Sequence, residues 1–353
     1  MNGFERYMAL LGGEDVDVLP RLPILMGWAA RYIGRDYAAF AADYHVLVEA
    51  NLRCARAFRF DQVSAISDPY RETSAFGASI EYQEETPPIC LEPPLAETKK
   101  LASLKRPDPA TSPRMLDRIR AIESFREQVG GEYSILGWIE GPAAEAADLR
   151  GVETFLMDLF DDPPFCATLM HKCVDVGIEF AEAQLRAGAD TIGIGDAIVS
   201  QMSPAMYSEL VFAEEKRLVG AIHALGGLVR LHICGNITHQ LPRLAQLGVD
   251  ILDLDSMVDL RRARELMGPG TVLVGNLDPV QAILYGDPAS IERQVRAVYA
   301  ALGNRYMVGA GCEIPIGTPE ENLAALCQPV KYTAGSGSGS GAGSGSGSAS
   351  SRG

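Results

Sequence analysis

An imidazole and a thiol stand two residues apart in Leu231-His232-Ile233-Cys234-Gly235-Asn236, at the end of an apolar run. In an extended strand, residues two apart point to the same face, so His232 and Cys234 project together. Imidazole and thiolate suit borderline-soft Zn2+, and a strand would present two such ligands at a fixed separation. A third donor is needed. Cys312, in Val308-Gly309-Ala310-Gly311-Cys312-Glu313, leaves a second apolar run, and Gly309 and Gly311 permit an unusual backbone path beneath it. Taken alone, a His-x-Cys pair reads equally well as a packed histidine beside a buried cysteine, so the placement of the two runs must decide. The other cysteines have no such company: Cys54, Cys166, Cys173 and Cys327 fall in apolar helical patterns and Cys90 in a Pro-rich stretch. Free cysteine packs there as a small hydrophobe. Seven cysteines are too few and odd in number for a disulfide framework.

The two runs belong to a series. Short apolar segments at Pro23–Gly27, Asp61–Ile66, Ser134–Ile139, Thr191–Gly195, Leu228–Ile233, Ile251–Leu254, Val272–Gly275 and Tyr306–Ala310 alternate with longer helical patterns. Such alternation predicts parallel βα units. Eight of them make an α/β fold, a single (β/α)8 TIM barrel over residues 1–333. One helix shows both ends: Ser203-Pro204 as N-cap and first helical residue, Gly226-Gly227 as terminator. Between them Tyr207, Val211, Leu218, Ile222 and Leu225 form an apolar stripe to lay on the sheet. Tyr70–Thr98, with its alternation and paired prolines, reads as a hairpin insertion after the second strand. Lys99–Pro113 reads as a surface connection. Residues 334–353 are Gly/Ser-rich, a flexible linker or expression tag set aside from the fold.

A barrel gathers the C-terminal ends of its strands at one mouth, so His232, Cys234 and Cys312 are expected to meet there. Asp68, Glu140, Asp196, Asp255, and Asn276 with Asp278, follow other strands and face the same mouth. Glu140 is the expected fourth zinc ligand or the residue that substrate displaces. Asp196 is a candidate catalytic carboxylate, and Asn236 and Asp255 are candidates for orienting His232 or a ligand. Asp68 and Asn276 are expected substrate contacts, with Trp28, Tyr70, Trp138, Met26 and Met202 walling an aromatic pocket. His239 reads as a helix-start surface residue, and His45, His171 and His223 receive no role.

Bulk composition narrows the partners. The 353 residues are 47% hydrophobic and 22% charged, with a formal net charge of −15. That charge repels phosphate backbones and anionic lipid, which argues against nucleic acid or a membrane as partner. No apolar run approaches the roughly 20 residues needed to span a bilayer, and the first residues lack the features of a secretory leader. A cytoplasmic enzyme is expected.

The segments around His232, around Val274-Gly275-Asn276-Leu277-Asp278-Pro279 and from Gly309 to Pro315 resemble the corrinoid-dependent methyltransferases of the uroporphyrinogen decarboxylase superfamily. That group includes methylcobamide:coenzyme M methyltransferases and O-demethylase methyltransferases. The resemblance runs through nearly the whole chain, since Leu149-Arg150-Gly151, Leu156-Met157-Asp158-Leu159 and Ser203-Pro204 share in it. It implies zinc on His232, Cys234 and Cys312. It also implies a corrinoid carried by a partner protein, because the Asp-x-His-x-x-Gly pattern of corrinoid carriers does not occur here. A small methylated substrate is implied, and a homodimer stays open. True decarboxylases hold porphyrinogen carboxylates with an Arg-rich N-terminal signature, whereas Pro23-Ile24-Leu25-Met26-Gly27-Trp28-Ala29-Ala30-Arg31 keeps one arginine. Ser67-Asp68-Pro69-Tyr70-Arg71-Glu72 and Trp138-Ile139-Glu140-Gly141-Pro142 look more like the O-demethylase components. The favoured expectation is methyl transfer from an aryl methyl ether to Co(I), with zinc as Lewis acid. The alternatives are a zinc-activated thiolate accepting methyl from methylcobalt, and a metal-free decarboxylase.

Overall fold

The computed structural model describes residues 1–97 and 99–333; the tail at 334–353 lies outside the described residues. Strand β1 (Gln62–Ser64) precedes a short antiparallel pair, β2 (Ser79–Glu81) with β3 (Ile89–Glu92). Then come β4 (Ser134–Glu140), β5 (Thr191–Gly195), β6 (Leu228–His232), β7 (Ile251–Leu254), β8 (Val272–Leu277) and β9 (Tyr306–Ala310). Seven strands form one parallel sheet in the order β1-β4-β5-β6-β7-β8-β9, each beside its successor. Helices connect them, as parallel pairing requires. The sheet is curled, because one short segment touches both of its edges. Leu22 N–H donates to Val308 O at 2.8 Å and Val308 N–H to Pro20 O at 2.8 Å, while Asp61 N–H donates to Arg21 O at 2.9 Å.

The expected first strand at Pro23–Gly27 is therefore displaced. Pairing with the parallel sheet's edges is made at residues 20–22, and Gly27–Tyr32 is already a helix. Pro20 and Pro23 bracket the paired stretch, and a proline has no N–H to continue a ladder. Strands β5, β7 and β9 fall where the sequence puts them. β1 is shorter than Asp61–Ile66, β4 and β8 run on to Glu140 and Leu277, and β6 stops at His232. The Ser203 cap forms, with its Oγ accepting from Met206 N–H at 3.2 Å. Tyr207, Val211, Leu218 and Ile222 are buried beneath that helix, but Leu225, past the last helical residue Ala224, is exposed.

The sheet's two faces are packed differently. Helices cover the outer face with the larger apolar core. On the inner face, the helix Gly3–Gly12 lays Tyr7 and Leu10 against Ile251, Val272, Val274 and Met307. That helix is started by a capping box between Asn2 and Glu5. Further along the strands a polar layer follows, beginning with Tyr7 Oη and Thr191 Oγ1 at 2.7 Å. Beyond it Ile24, Ile66, Leu136 and Trp138 pack together.

Asp61 fastens the N-terminal segment to this framework. Its carboxylate accepts from Arg6 Nη1 at 2.5 Å, Arg21 Nε at 2.9 Å and Arg21 N–H at 2.8 Å, all buried. Removing one member of such a set leaves the others charged and dry, at a cost of about 3–5 kcal/mol. Asp61→Ala is expected to lower the urea midpoint accordingly; a midpoint unchanged from the parent protein would show that the N-terminal segment is held by its apolar contacts alone.

Candidate metal centre and substrate cavity

The inner polar layer leads from the base of the sheet to the chemistry at its far end. The parallel register Arg230↔Ile251 aligns β6 with β7 so that Asp253 comes alongside both Arg230 and His232. Arg230 Nε donates to Asp253 Oδ1 at 2.8 Å and to Oδ2 at 3.1 Å, and its Nη1 donates to Gln62 Oε1 at 2.8 Å. Gln62 Nε2 in turn donates to Ser134 Oγ at 3.0 Å. Asp253 Oδ2 lies 2.8 Å from His232 Nδ1. An ionised carboxylate only accepts, so the proton sits on Nδ1 and the Nε2 lone pair faces outward, the tautomer a metal-binding histidine needs.

Nε2 points at two sulfurs. It lies 3.1 Å from Cys234 Sγ and 3.7 Å from Cys312 Sγ, and the sulfurs are 3.5 Å apart. Cys234 stands two residues beyond the end of β6, so the pair is held by strand and loop together. Gly235 follows it with φ +91°, a left-handed turn natural to glycine, and its N–H donates to Asp255 Oδ2 at 2.9 Å. Cys312 arrives from β9 over Gly311, where an added Cβ would come within 2.8 Å of Ser256 N. Any side chain at 311 would push the two loops, and the two thiols, apart.

The donor set suits a tetrahedral metal. Bonds of about 2.3 Å to sulfur and about 2.0 Å to nitrogen put tetrahedral ligand atoms about 3.8 Å apart for sulfur pairs and about 3.5 Å apart for mixed pairs. The three observed separations lie within about half an ångström of such a face. Without a metal the group still organises charge. Against burial, Asp253 and Cys312 push His232 up to about 10. The hydrogen bond from Cys234, with help from His232, brings Cys312 down to about 4, and that same contact, then burial, pushes Cys234 up. A metal ion would displace these protons.

Beside the donors is a cavity of about 170 Å³. Ile24, Met26, Ile66, Pro69 and Trp138 give it apolar walls, and Asp68, Glu140 and Glu313 are its carboxyl groups. The Trp138 ring fits because β5 opposite carries Gly193 and Gly195; a Cβ on Gly195 would meet the ring at 2.9 Å, and one on Gly193 would overlap it. Trp138 Nε1 donates to Glu140 Oε1 at 2.9 Å. Burial, then the charges of Glu72 and Asp148, push Glu140 well above the usual carboxyl range. Glu313 accepts from Gly27 N–H at 3.1 Å, and burial pushes it up to about 7. Asp68 is held low despite burial by Arg114, at 2.8 Å, and Arg71, at 3.7 Å.

The expected site residues divide into two groups. His232, Cys234 and Cys312 meet, their ligand atoms within 4.8 Å of one another. Glu140 lies outside that cluster but lines the cavity, as does Asp68. The other strand-end residues serve the backbone instead. Asp196 accepts from Ala143 and Ala144 N–H at 3.2 and 2.8 Å, capping a helix start, and is fully buried away from the cavity. Asp255 holds the Gly235 and Met257 amides, Asn236 accepts from Thr238 N–H, and Asp278 caps the turn that starts at Pro279. Asn276 donates to Asp255 O at 3.2 Å. Short polar side chains just past a strand have free amides within reach, and these bonds take precedence over an orienting or substrate role. Trp28, Tyr70 and Met202 do not line the cavity. Trp28 stacks on Tyr32 and donates to Thr318 O, Tyr70 leads into the helix Arg71–Ala75, and Met202 packs in the outer core. Three participants went unassigned in the sequence: Asp253, Arg230 and Glu313. The available signal was a charged residue inside the apolar run Ile251-Leu252-Asp253-Leu254, and an arginine two positions before His232.

The family model for uroporphyrinogen decarboxylase matches residues 2–332. The chain is 27% identical over 348 residues to the uroporphyrinogen decarboxylase of Gloeobacter violaceus, covering 92% of this chain and 97% of that protein. It is 28% identical over 335 residues to the methylcobamide:CoM methyltransferase MtbA of Methanosarcina mazei, covering 93% and 97%. Among solved structures, a methyltransferase from Methanosarcina mazei superposes with a TM-score of 0.85 at 24% identity, over 92% of this chain and 97% of that one, which shows a shared fold.

Asp253 fixes the imidazole by a single carboxylate contact, so its loss is expected to weaken metal binding without touching a ligand. In Asp253→Ala, zinc affinity measured against a chromophoric chelator should fall about 10–100-fold. An affinity equal to that of the parent protein would remove Asp253 from the orienting role.

Proposed function

The chain belongs to the uroporphyrinogen decarboxylase family, and on that footing we propose that it is a zinc-dependent methyltransferase working with a separate corrinoid protein. The favoured direction takes a methyl group from an aryl methyl ether to Co(I). The observation that carries this reading is the His232, Cys234, Cys312 triangle at the edge of an apolar cavity. A metal-free decarboxylase has no use for such a donor set. It would also need cations for the substrate's carboxylates, and among the described residues no lysine or arginine lines the cavity.

When bound, zinc supplies Lewis acidity to a substrate heteroatom at a position the three protein ligands leave open. His232, pinned through Nδ1 by Asp253, and the two thiolates would hold it. Glu140, anchored by the Trp138 indole, lines the same cavity and on this reading would serve as fourth ligand or as the group that substrate displaces. The apolar walls exclude water from the reacting centre. The chain carries no Asp-x-His-x-x-Gly corrinoid signature of its own, so the cobalt would arrive on a separate carrier. On this reading residues 1–333 form one (β/α)8 barrel, with the segment at 20–22 as its eighth stave. The likeness to a methylcobamide:CoM methyltransferase favours a second form, in which the same centre holds a thiol as thiolate for methylation by methylcobalt.

The purified protein is expected to hold about one zinc per chain. Incubated with a reduced corrinoid protein and methoxylated aromatics, it should convert Co(I) to methyl-Co(III), and Cys312→Ser should lose both metal and conversion. Full activity in that variant, or zinc-free protein that remains active, would refute the reading. Conversion only from methylcobalamin to a thiol would establish the second form.

A further inference from the structure

We propose that Gln184 is a positioning residue for the substrate cavity. From the helix Pro163–Ala187 it takes the place of a missing strand partner at Trp138, and so fixes the indole and the Glu140 carboxyl beside the metal donors. The inference rests on the methyl-transfer reading above and names a residue outside the cavity on which that site depends. It starts from an edge of the sheet. The ladder between β1 and β4 ends where Ala65 N–H donates to Leu136 O at 2.9 Å. In a parallel ladder every second residue turns its N–H and C=O to the same neighbour. Trp138 and Glu140 therefore face an edge that β1 has already left. Trp138 is buried, and its amide groups need partners from elsewhere.

Side chains supply them. Gln184 Oε1 accepts from Trp138 N–H at 2.8 Å, and Gln184 Nε2 donates to Trp138 O at 3.0 Å. One fully buried side-chain amide thus makes the two bonds that a neighbouring strand would have made. Arg118 spans the gap itself, donating to Ala65 O on one side and to Trp138 O on the other at 3.1 Å each, and Glu72 Oε1 accepts from Glu140 N–H at 3.0 Å. Arg118 also bonds to Asp68 O, whereas both side-chain bonds of Gln184 go to Trp138. The sequence makes room for this at one residue: a Cβ on Gly137 would come within 2.7 Å of Gln184 Oε1. What the amide holds is the wall beside the donors. The Trp138 ring centre lies 6.0 Å from that of His232, and Trp138 Nε1 donates to Glu140 Oε1 at 2.9 Å. A buried N–H without a partner is costly enough for the strand to shift toward one, and such a shift carries the indole and the carboxyl with it. The three donors stand on β6 and on the loops after β6 and β9, so they would stay.

The chain has two tryptophans, and Trp28 lies outside the cavity, so Trp28→Phe leaves an emission that reports Trp138 alone. In that background Gln184→Met should move the emission maximum to the red and open the indole to acrylamide quenching, with zinc affinity unchanged. With reduced corrinoid protein and a methoxylated aromatic donor, KM should rise at least about fivefold, and by more than kcat falls. Gly137→Ala, which crowds the amide without removing it, should give the same signature, and it decides the matter if Gln184→Met does not fold. Emission, quenching and KM equal to those of the Trp28→Phe parent would overturn the positioning role. So would a zinc affinity that falls together with them, because that is a general loosening of the barrel. The emission readout needs no turnover. A red-shifted Gln184→Met in a protein that transfers no methyl group from any donor keeps Gln184 as the residue that sets the wall and refutes the transferase reading. Methyl transfer with emission and KM unmoved refutes the positioning role alone.

Discussion

The buried chain Arg230–Asp253–His232 is the interaction on which the site depends. A carboxylate and a guanidinium in a sheet interior are costly to desolvate, and they repay that cost only when all their hydrogen bonds are made. Here Asp253 takes two bonds from Arg230 and one from His232, while Arg230 reaches on to Gln62 and Ser134 across the sheet. The network fixes strand register as well as charge. A slip of one residue in β7 would turn Asp253 to the outer face and leave Arg230 unpaired in the interior. The ring nitrogen offered to a metal is thus held by the packing of four strands.

The two thiols join this centre by a different constraint, the absence of side chains. Gly235 bends the backbone after Cys234, and Gly311 lets the β9 exit lie against the loop after β7. Gly193 and Gly195 open the space that Trp138 fills, and Trp138 in turn carries Glu140. The cavity owes its shape to glycines on one strand and an indole on the next. A methyl group at 193 or 311 would disturb it as surely as a change in a ligand.

Charge is laid out with the same economy. Arg71, Arg114 and Arg118 are directed to Asp68, Asp117, Ser67 or backbone carbonyls, and Asp196, Asp255 and Asp278 are spent on loop and helix amides. What faces the cavity is hydrocarbon, carboxyl groups and the three soft donors. On the proposed reading, that combination is what would suit methyl transfer rather than a polycarboxylate substrate.

The sequence by itself determined the local features. The alternation of short apolar runs with helical patterns, the Ser203-Pro204 start and the His232, Cys234 and Cys312 donors are all written in residue type and short spacing, where period and ligand preference act over a few positions. The tertiary structure decided which polar residues meet. Asp255, Asn236 and Asp253 look alike in sequence, but only the β6/β7 register aims Asp253 at the imidazole, while amides within two residues capture the other two. Asp196 and Glu140 both end strands, yet one caps a helix and the other faces the cavity, because Trp138 holds Glu140 inward. The first strand was misplaced by a few residues because apolar character marked Pro23–Gly27, whereas the pairing with the sheet edges is made at residues 20–22, before Pro23, which has no N–H to continue the ladder.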